Sequence, residues 1–117
     1  MSVILRGELY WIEPDEGRAV DYSHPWVVVQ DDVFNRSRIA TIIACALSTN
    51  LHKATEPGNV LLDDGEGGLP KQSVVIVSQI EAVERSRFGA RIGALSQRRV
   101  EQIVDGLRFQ QRAFFDR

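Results

Sequence analysis

A single cysteine, Cys45, cannot form an internal disulfide, so the fold has to be held by packing and hydrogen bonds. Its place inside an apolar run marks it as a small core residue rather than a nucleophile, and a lone thiol fits a reducing compartment. The two histidines, His24 and His52, have neither helical nor zinc-type spacing, so no metal site and no cofactor is expected. Phosphate-binding glycine loops of the Walker or dinucleotide kind are missing as well: Gly65, Gly67 and Gly68 follow acids, which repel phosphate. No apolar run approaches the roughly 18–20 residues of a membrane span, and Val3-Ile4-Leu5 is too short for a signal-peptide core. The expectation is a protein that stays in the cytoplasm, away from membranes. The adjacent carboxylates Asp15-Glu16, Asp31-Asp32 and Asp63-Asp64 lie in loop-forming segments, and no His/Cys set accompanies them. No internal repeat, heptad array or low-complexity segment is present.

What remains is an ordinary globular composition, 44% hydrophobic and 26% charged, in 117 residues. A chain of that length reads as one domain, residues 1–117, burying roughly two-thirds of its unfolded surface. Net charge is −2, but it is unevenly spread. Residues 1–80 carry six Lys/Arg against eleven Asp/Glu, and residues 81–117 carry eight Arg against five acids. An acidic total does not exclude a nucleic-acid ligand, because phosphates respond to the local field; the other reading of the basic end is a solvated helical face.

Short β-branched runs bounded by turn residues dominate the chain. Glu8–Ile12 reads as a first strand, 13–23 as an irregular loop, and Trp26–Gln30 as a second strand with Pro25 holding His24 extended at its mouth. Asp31–Arg38 is a polar connector, a turn or short helix. Ile39–Leu47, the most hydrophobic segment, is the candidate central strand, and it ends on Ser48-Thr49-Asn50. A short strand over 59–62, an acidic turn over 63–68 and a strand over 73–77 follow, the last interrupted by Ser78-Gln79. Residues 81–88 suggest a short charged helix, and 90–94 a final strand. Ser96 is a suitable N-cap for a last helix whose Val100, Ile103, Val104 and Leu107 share one face. Short strands joined by polar loops, with one terminal helix, predict a small, mostly antiparallel barrel or sheet.

The stretches Arg6–Trp11, Pro25–Gln30, Asp32–Ser37, Ala46–Asn50 and Leu69–Val75, then Gln79 and Ile92-Gly93, occur in an order and spacing that span nearly the whole chain. Together they resemble the MazF/PemK-type toxins of bacterial toxin–antitoxin systems. That resemblance implies an SH3-like antiparallel barrel with a C-terminal helix, of the MazF/PemK/CcdB kind. It also implies a metal-independent, sequence-selective endoribonuclease, a homodimer that binds single-stranded RNA in a groove, and neutralisation by a small cognate antitoxin. The expected products are a 2′,3′-cyclic phosphate and a 5′-hydroxyl.

In that family an Arg-Pro pair heading the second strand and a threonine ending the third are the main catalytic pair. Here those positions are His24 and Ser48. Histidine donates to phosphate and exchanges a proton near neutral pH, which arginine does not; serine keeps the hydroxyl and loses only a methyl. Thr49 is the alternative hydroxyl. Where some members have an aspartate before the fifth-strand glutamine, this chain has Ser78, leaving Gln79 as a reader of base edges. Arg18 and Tyr22 are candidates for phosphate contact or base stacking. Asn35, Arg36, Thr49 and Asn50 complete the expected RNA-binding set, although Arg36 equally suits a salt bridge to Asp31 or Asp32. Trp11 and Trp26 read as core or interface residues. Two non-catalytic alternatives are a barrel toxin that binds a protein target such as DNA gyrase, and a degenerate homologue that only binds antitoxin.

Overall fold

The computed structural model describes residues 3–13 and 24–115, with side chains up to residue 112. Its elements are β1 (Glu8–Ile12), β2 (His24–Val28), α1 (Asp32–Asn35), β3 (Thr41–Ser48), β4 (Val60–Leu61), β5 (Val74–Glu84), β6 (Phe88–Ala94) and α2 (Gln97–Phe115). The strands form one antiparallel sheet in the order β4-β5-β3-β2-β1-β6. The apolar segment 39–47 does supply the central strand, and β3 pairs with β2 on one side and β5 on the other.

The central strands carry buried clusters on both faces, which is why they read as apolar runs rather than strict alternation. Leu9, Val27, Cys45, Leu47 and Val75 face one core, into which α2 inserts Ile103, with Leu107 packed against it. Tyr10, Ile12, Val28, Ile42, Ala44 and Val83 form a second cluster on the other face, with Trp26 and Phe88 against it. The Ser96 side chain caps α2 by accepting from the Arg99 backbone N–H at 3.2 Å.

β4 and β6 are the sheet's two edges, so hydrogen bonds do not close it into a barrel. The 3-10 turn Glu66–Gly68 packs over β6 instead and curls the sheet into a barrel-like form. That approach needs glycine, because a Cβ on Gly93 would collide with the Gly67 carbonyl oxygen.

Two expectations are corrected. Residues 81–88 are not helical: β5 runs unbroken through Glu84, and only Arg85–Arg87 make a 3-10 turn. Val83, fully buried opposite Ile42, draws the segment into the sheet, and β3 satisfies its backbone. Nor do Ser78-Gln79 interrupt β5. They lie in a bulge, since four β5 residues, 76–79, stand against Ala46 alone between the pairs Cys45↔Ile80 and Leu47↔Val75.

Candidate functional site

β2 and β3 pair as Trp26↔Ala46, Val27↔Cys45 and Val28↔Ala44. His24 heads β2 and Ser48 ends β3, so both lie at the same end of this antiparallel pair. Both line a cleft of about 660 Å³, whose walls include Trp26, Thr49, Lys53, Gln79 and Glu81. The β5 bulge forms one wall. In a regular strand Ser78 and Gln79 would point to opposite faces, but here both are exposed and both line the cleft.

The Ser48 hydroxyl oxygen accepts from the Asn50 backbone N–H at 3.1 Å, which leaves its own O–H to donate. Asn50 in turn caps the 3-10 turn Leu51–Thr55, its Oδ1 accepting from the His52 N–H at 3.2 Å. The expected RNA-binding Asn50 therefore shapes the turn beside the cleft and does not line it.

Asn35 and Arg36 lie elsewhere. They sit in the β2–β3 connection, at the opposite end of the hairpin from His24 and Ser48. Asn35 is 2% exposed, and its amide is used internally. Nδ2 donates to the Gln30 carbonyl at 2.8 Å and to Asp32 Oδ1 at 3.0 Å, while Oδ1 accepts from Gln30 Nε2 at 3.0 Å. The RNA-contact expectation for Asn35 is thus corrected: its side chain is buried, and both its N–H groups donate within the protein. Arg36 is exposed at the same loop. Burial pushes the Asp32 carboxyl up, but hydrogen bonds from the Arg6 backbone and the Asn35 side chain, with the charges of Arg36 and Arg6, hold it below the usual range. Asp31 pairs with Arg6 at 3.9 Å. Arg18 and Tyr22 lie outside the described residues.

Cys45 is fully buried, and burial pushes its thiol up to about 12, so it supplies no thiolate near neutral pH. Among the described residues no cluster of His, Cys, Asp and Glu could hold a metal ion. A second cavity of about 600 Å³ lies on α2, around Arg6, Val104, Leu107 and Phe109, and shares no lining residue with the His24–Ser48 cleft.

Comparison with known proteins agrees with this architecture. Residues 5–110 match the PemK-like, MazF-like toxins of type II toxin-antitoxin systems. The chain belongs to that family. Endoribonuclease MazF6 of Mycobacterium tuberculosis is 35% identical over 108 residues, covering 91% of this chain and 95% of that protein. Endoribonuclease EndoA of Bacillus subtilis is 26% identical over 107 residues, covering 90% and 91%. Among solved structures, a mycobacterial endoribonuclease in complex with its cognate antitoxin superposes with a TM-score of 0.73 at 24% identity, covering 91% of this chain and 92% of that one. The MazE-MazF structure (Form-II) from Deinococcus radiodurans gives 0.74 at 18% identity, covering 94% and 96%. At those identities the structural likeness establishes the fold.

Within this MazF-like chain, sequence reading missed two charged groups of the cleft. Lys53 comes from the 3-10 turn after β3 and Glu81 from β5 beyond the bulge. Glu81 was hidden by the helical reading of 81–88. Lys53 follows the recognised Ser48-Thr49-Asn50 triplet closely, and the capping Asn50 was the signal that the chain turns back there.

Proposed function

We propose that this protein is the toxin of a type II toxin–antitoxin pair: a sequence-selective endoribonuclease that cuts single-stranded RNA without a metal ion. Family membership and relatives named as endoribonucleases support the activity. The observation that carries the site assignment is the shared cleft of His24 and Ser48, open to a ribose-phosphate unit.

The reaction needs a proton removed from a ribose 2′-hydroxyl, a bond formed from that oxygen to phosphorus, and the bond from phosphorus to the 5′-oxygen broken as that oxygen gains a proton. The products are a 2′,3′-cyclic phosphate and a 5′-hydroxyl. In this reading His24 serves proton transfer, because imidazole both gives and takes a proton near neutral pH. Ser48 donates its free O–H to a non-bridging phosphate oxygen, where charge builds up. Thr49 adds a second hydroxyl, and Gln79, which both donates and accepts, reads a base edge from the opposite wall. Asn50 keeps Ser48 oriented through its backbone N–H. A cognate antitoxin neutralises the toxin, and the working unit is a homodimer in the cytoplasm. No helix among the described residues is long and apolar enough to cross a membrane.

The test is incubation of the purified protein with a long RNA in excess chelator, followed by mapping of cut ends. Discrete cuts bearing 5′-hydroxyls are expected. His24→Ala and Ser48→Ala should abolish them while the protein stays folded, as followed by circular dichroism. RNA left intact by the wild type would favour a non-catalytic barrel toxin, and full cutting by His24→Ala would overturn the site assignment.

A further inference from the structure

Among the described residues lining the cleft, Lys53 alone carries a permanent positive charge. Its backbone is pinned. Asn50 caps the turn that holds it, and Asn59 Nδ2 donates to its main-chain carbonyl at 2.9 Å. Its side chain is loosely held: Nζ lies 3.4 Å from Glu56 Oε2, with the two side chains 40% and 46% exposed. A pair so open to solvent is weak and readily exchanged. Glu56 itself is not part of the cleft wall.

The geometry points to Lys53 as a further catalytic residue, its ammonium leaving Glu56 to bind the reacting RNA phosphate beside Ser48 and Thr49. This rests on the ribonuclease reading above. A phosphodiester carries one negative charge. Attack by the 2′-oxygen, as its proton departs, concentrates a second charge on the phosphorane oxygens. Hydroxyls from Ser48 and Thr49 supply hydrogen bonds but no charge. A mobile ammonium in the same cleft gains more from the transition state than from the bound substrate, so its effect falls on the chemical step. Glu56 then competes with the phosphate for the same cation and restrains the enzyme.

The experiment is single-turnover cleavage of a short RNA containing the mapped site, with the full chain in excess and chelator present. Lys53→Gln should slow the saturated rate about 10-fold or more, and Lys53→Arg should restore most of it. Glu56→Gln, which keeps an acceptor for Asn59, should raise the rate or affinity about 2- to 5-fold. The double variant should behave as Lys53→Gln, because Glu56 acts only through Lys53. A wild-type rate in Lys53→Gln overturns the proposal, as does a Glu56→Gln gain that persists without Lys53. Should the wild type leave every RNA intact, the cleavage reading fails separately. Lys53 is then judged by binding of the same RNA against salt. Lys53→Gln lowering the slope by about 0.7 supports the phosphate contact, and an unchanged slope refutes it.

Discussion

Gly106 offers a substitution in which two opposed effects differ in sign. It lies on the buried side of α2, where the helix crosses the turn that precedes β4. A Cβ at this position would collide with the Gly58 carbonyl oxygen and stand 3.2 Å from Val77 Cγ1. The obstacle is main chain, fixed by a left-handed Gly58 at φ +82, so it cannot swing aside as a side-chain tip would. Helix propensity argues the other way, since Ala inside a helix is favoured over Gly by about 1 kcal/mol. Forcing a methyl into a packed contact costs ~1–3 kcal/mol, and here the whole helix has to lift, which also loosens Ile103 one turn away. Because the obstacle is main chain, the steric cost falls in the upper part of that range, about 2–3 kcal/mol, and Gly106→Ala should lose about 1–2 kcal/mol net. Urea unfolding should show a lower midpoint with an unchanged slope, and melting should fall by roughly 4–8 °C. The exposed neighbour serves as control: Asp105→Ala should stay within about 0.5 kcal/mol of wild type. A Gly106→Ala protein more stable than wild type would refute the close helix–turn approach.

Acid should expose the ion pair that ties α2 to the turn after β4. Arg99 meets Glu66 through two bonds, 2.9 and 3.0 Å. Burial pushes the Glu66 carboxyl up, but the Arg99 hydrogen bonds, the Asp63 backbone N–H and the Arg99 charge together hold it below its ordinary value. A lowered folded-state value means the unfolded chain binds the proton first. The stability is therefore present above the ordinary glutamate value of 4.5 and lost as pH falls through the folded value. Glu66→Gln should flatten that acid loss when urea midpoints at about pH 7 and about pH 3 are compared. Cys45 should resist an aromatic disulfide reagent in the native protein at mildly alkaline pH and react fully in denaturant, because burial raises the thiol to about 12. Arg85 donates from Nε to the Ile39 carbonyl at 2.7 Å and from Nη2 to the Asn35 carbonyl at 2.9 Å. Arg85→Ala should cost about 2 kcal/mol, and faster hydrogen exchange confined to residues 32–40 would mark the loosened loop.

Much of the molecule is legible locally. The first strand, the connector over 31–38, the apolar central strand and the Ser96 cap all rest on patterns a few residues long, and those patterns survive folding. The ordered set of short motifs carried the family, and the resemblance directed attention to His24 and Ser48, which line one cleft. Local pattern failed where a distant strand supplied the deciding contact. Residues 81–84 have the charge of an exposed helix, but Val83 has a buried site waiting opposite Ile42. Asn35 looks like a ligand-binding amide in a polar loop, yet it is buried and bonded to Gln30 and Asp32.

By itself, then, the sequence determined which segments form the core strands, where they turn and that polar side chains stand at the ends of the two central ones, because turn chemistry and short apolar runs are local properties of the chain. Only the tertiary structure decided that Ser78 and Gln79 face the cleft together, that Lys53 and Glu81 join them, and that Asn35 is withdrawn. Those outcomes depend on strand register and burial, which are set by partners distant in the chain that no short window of residues contains.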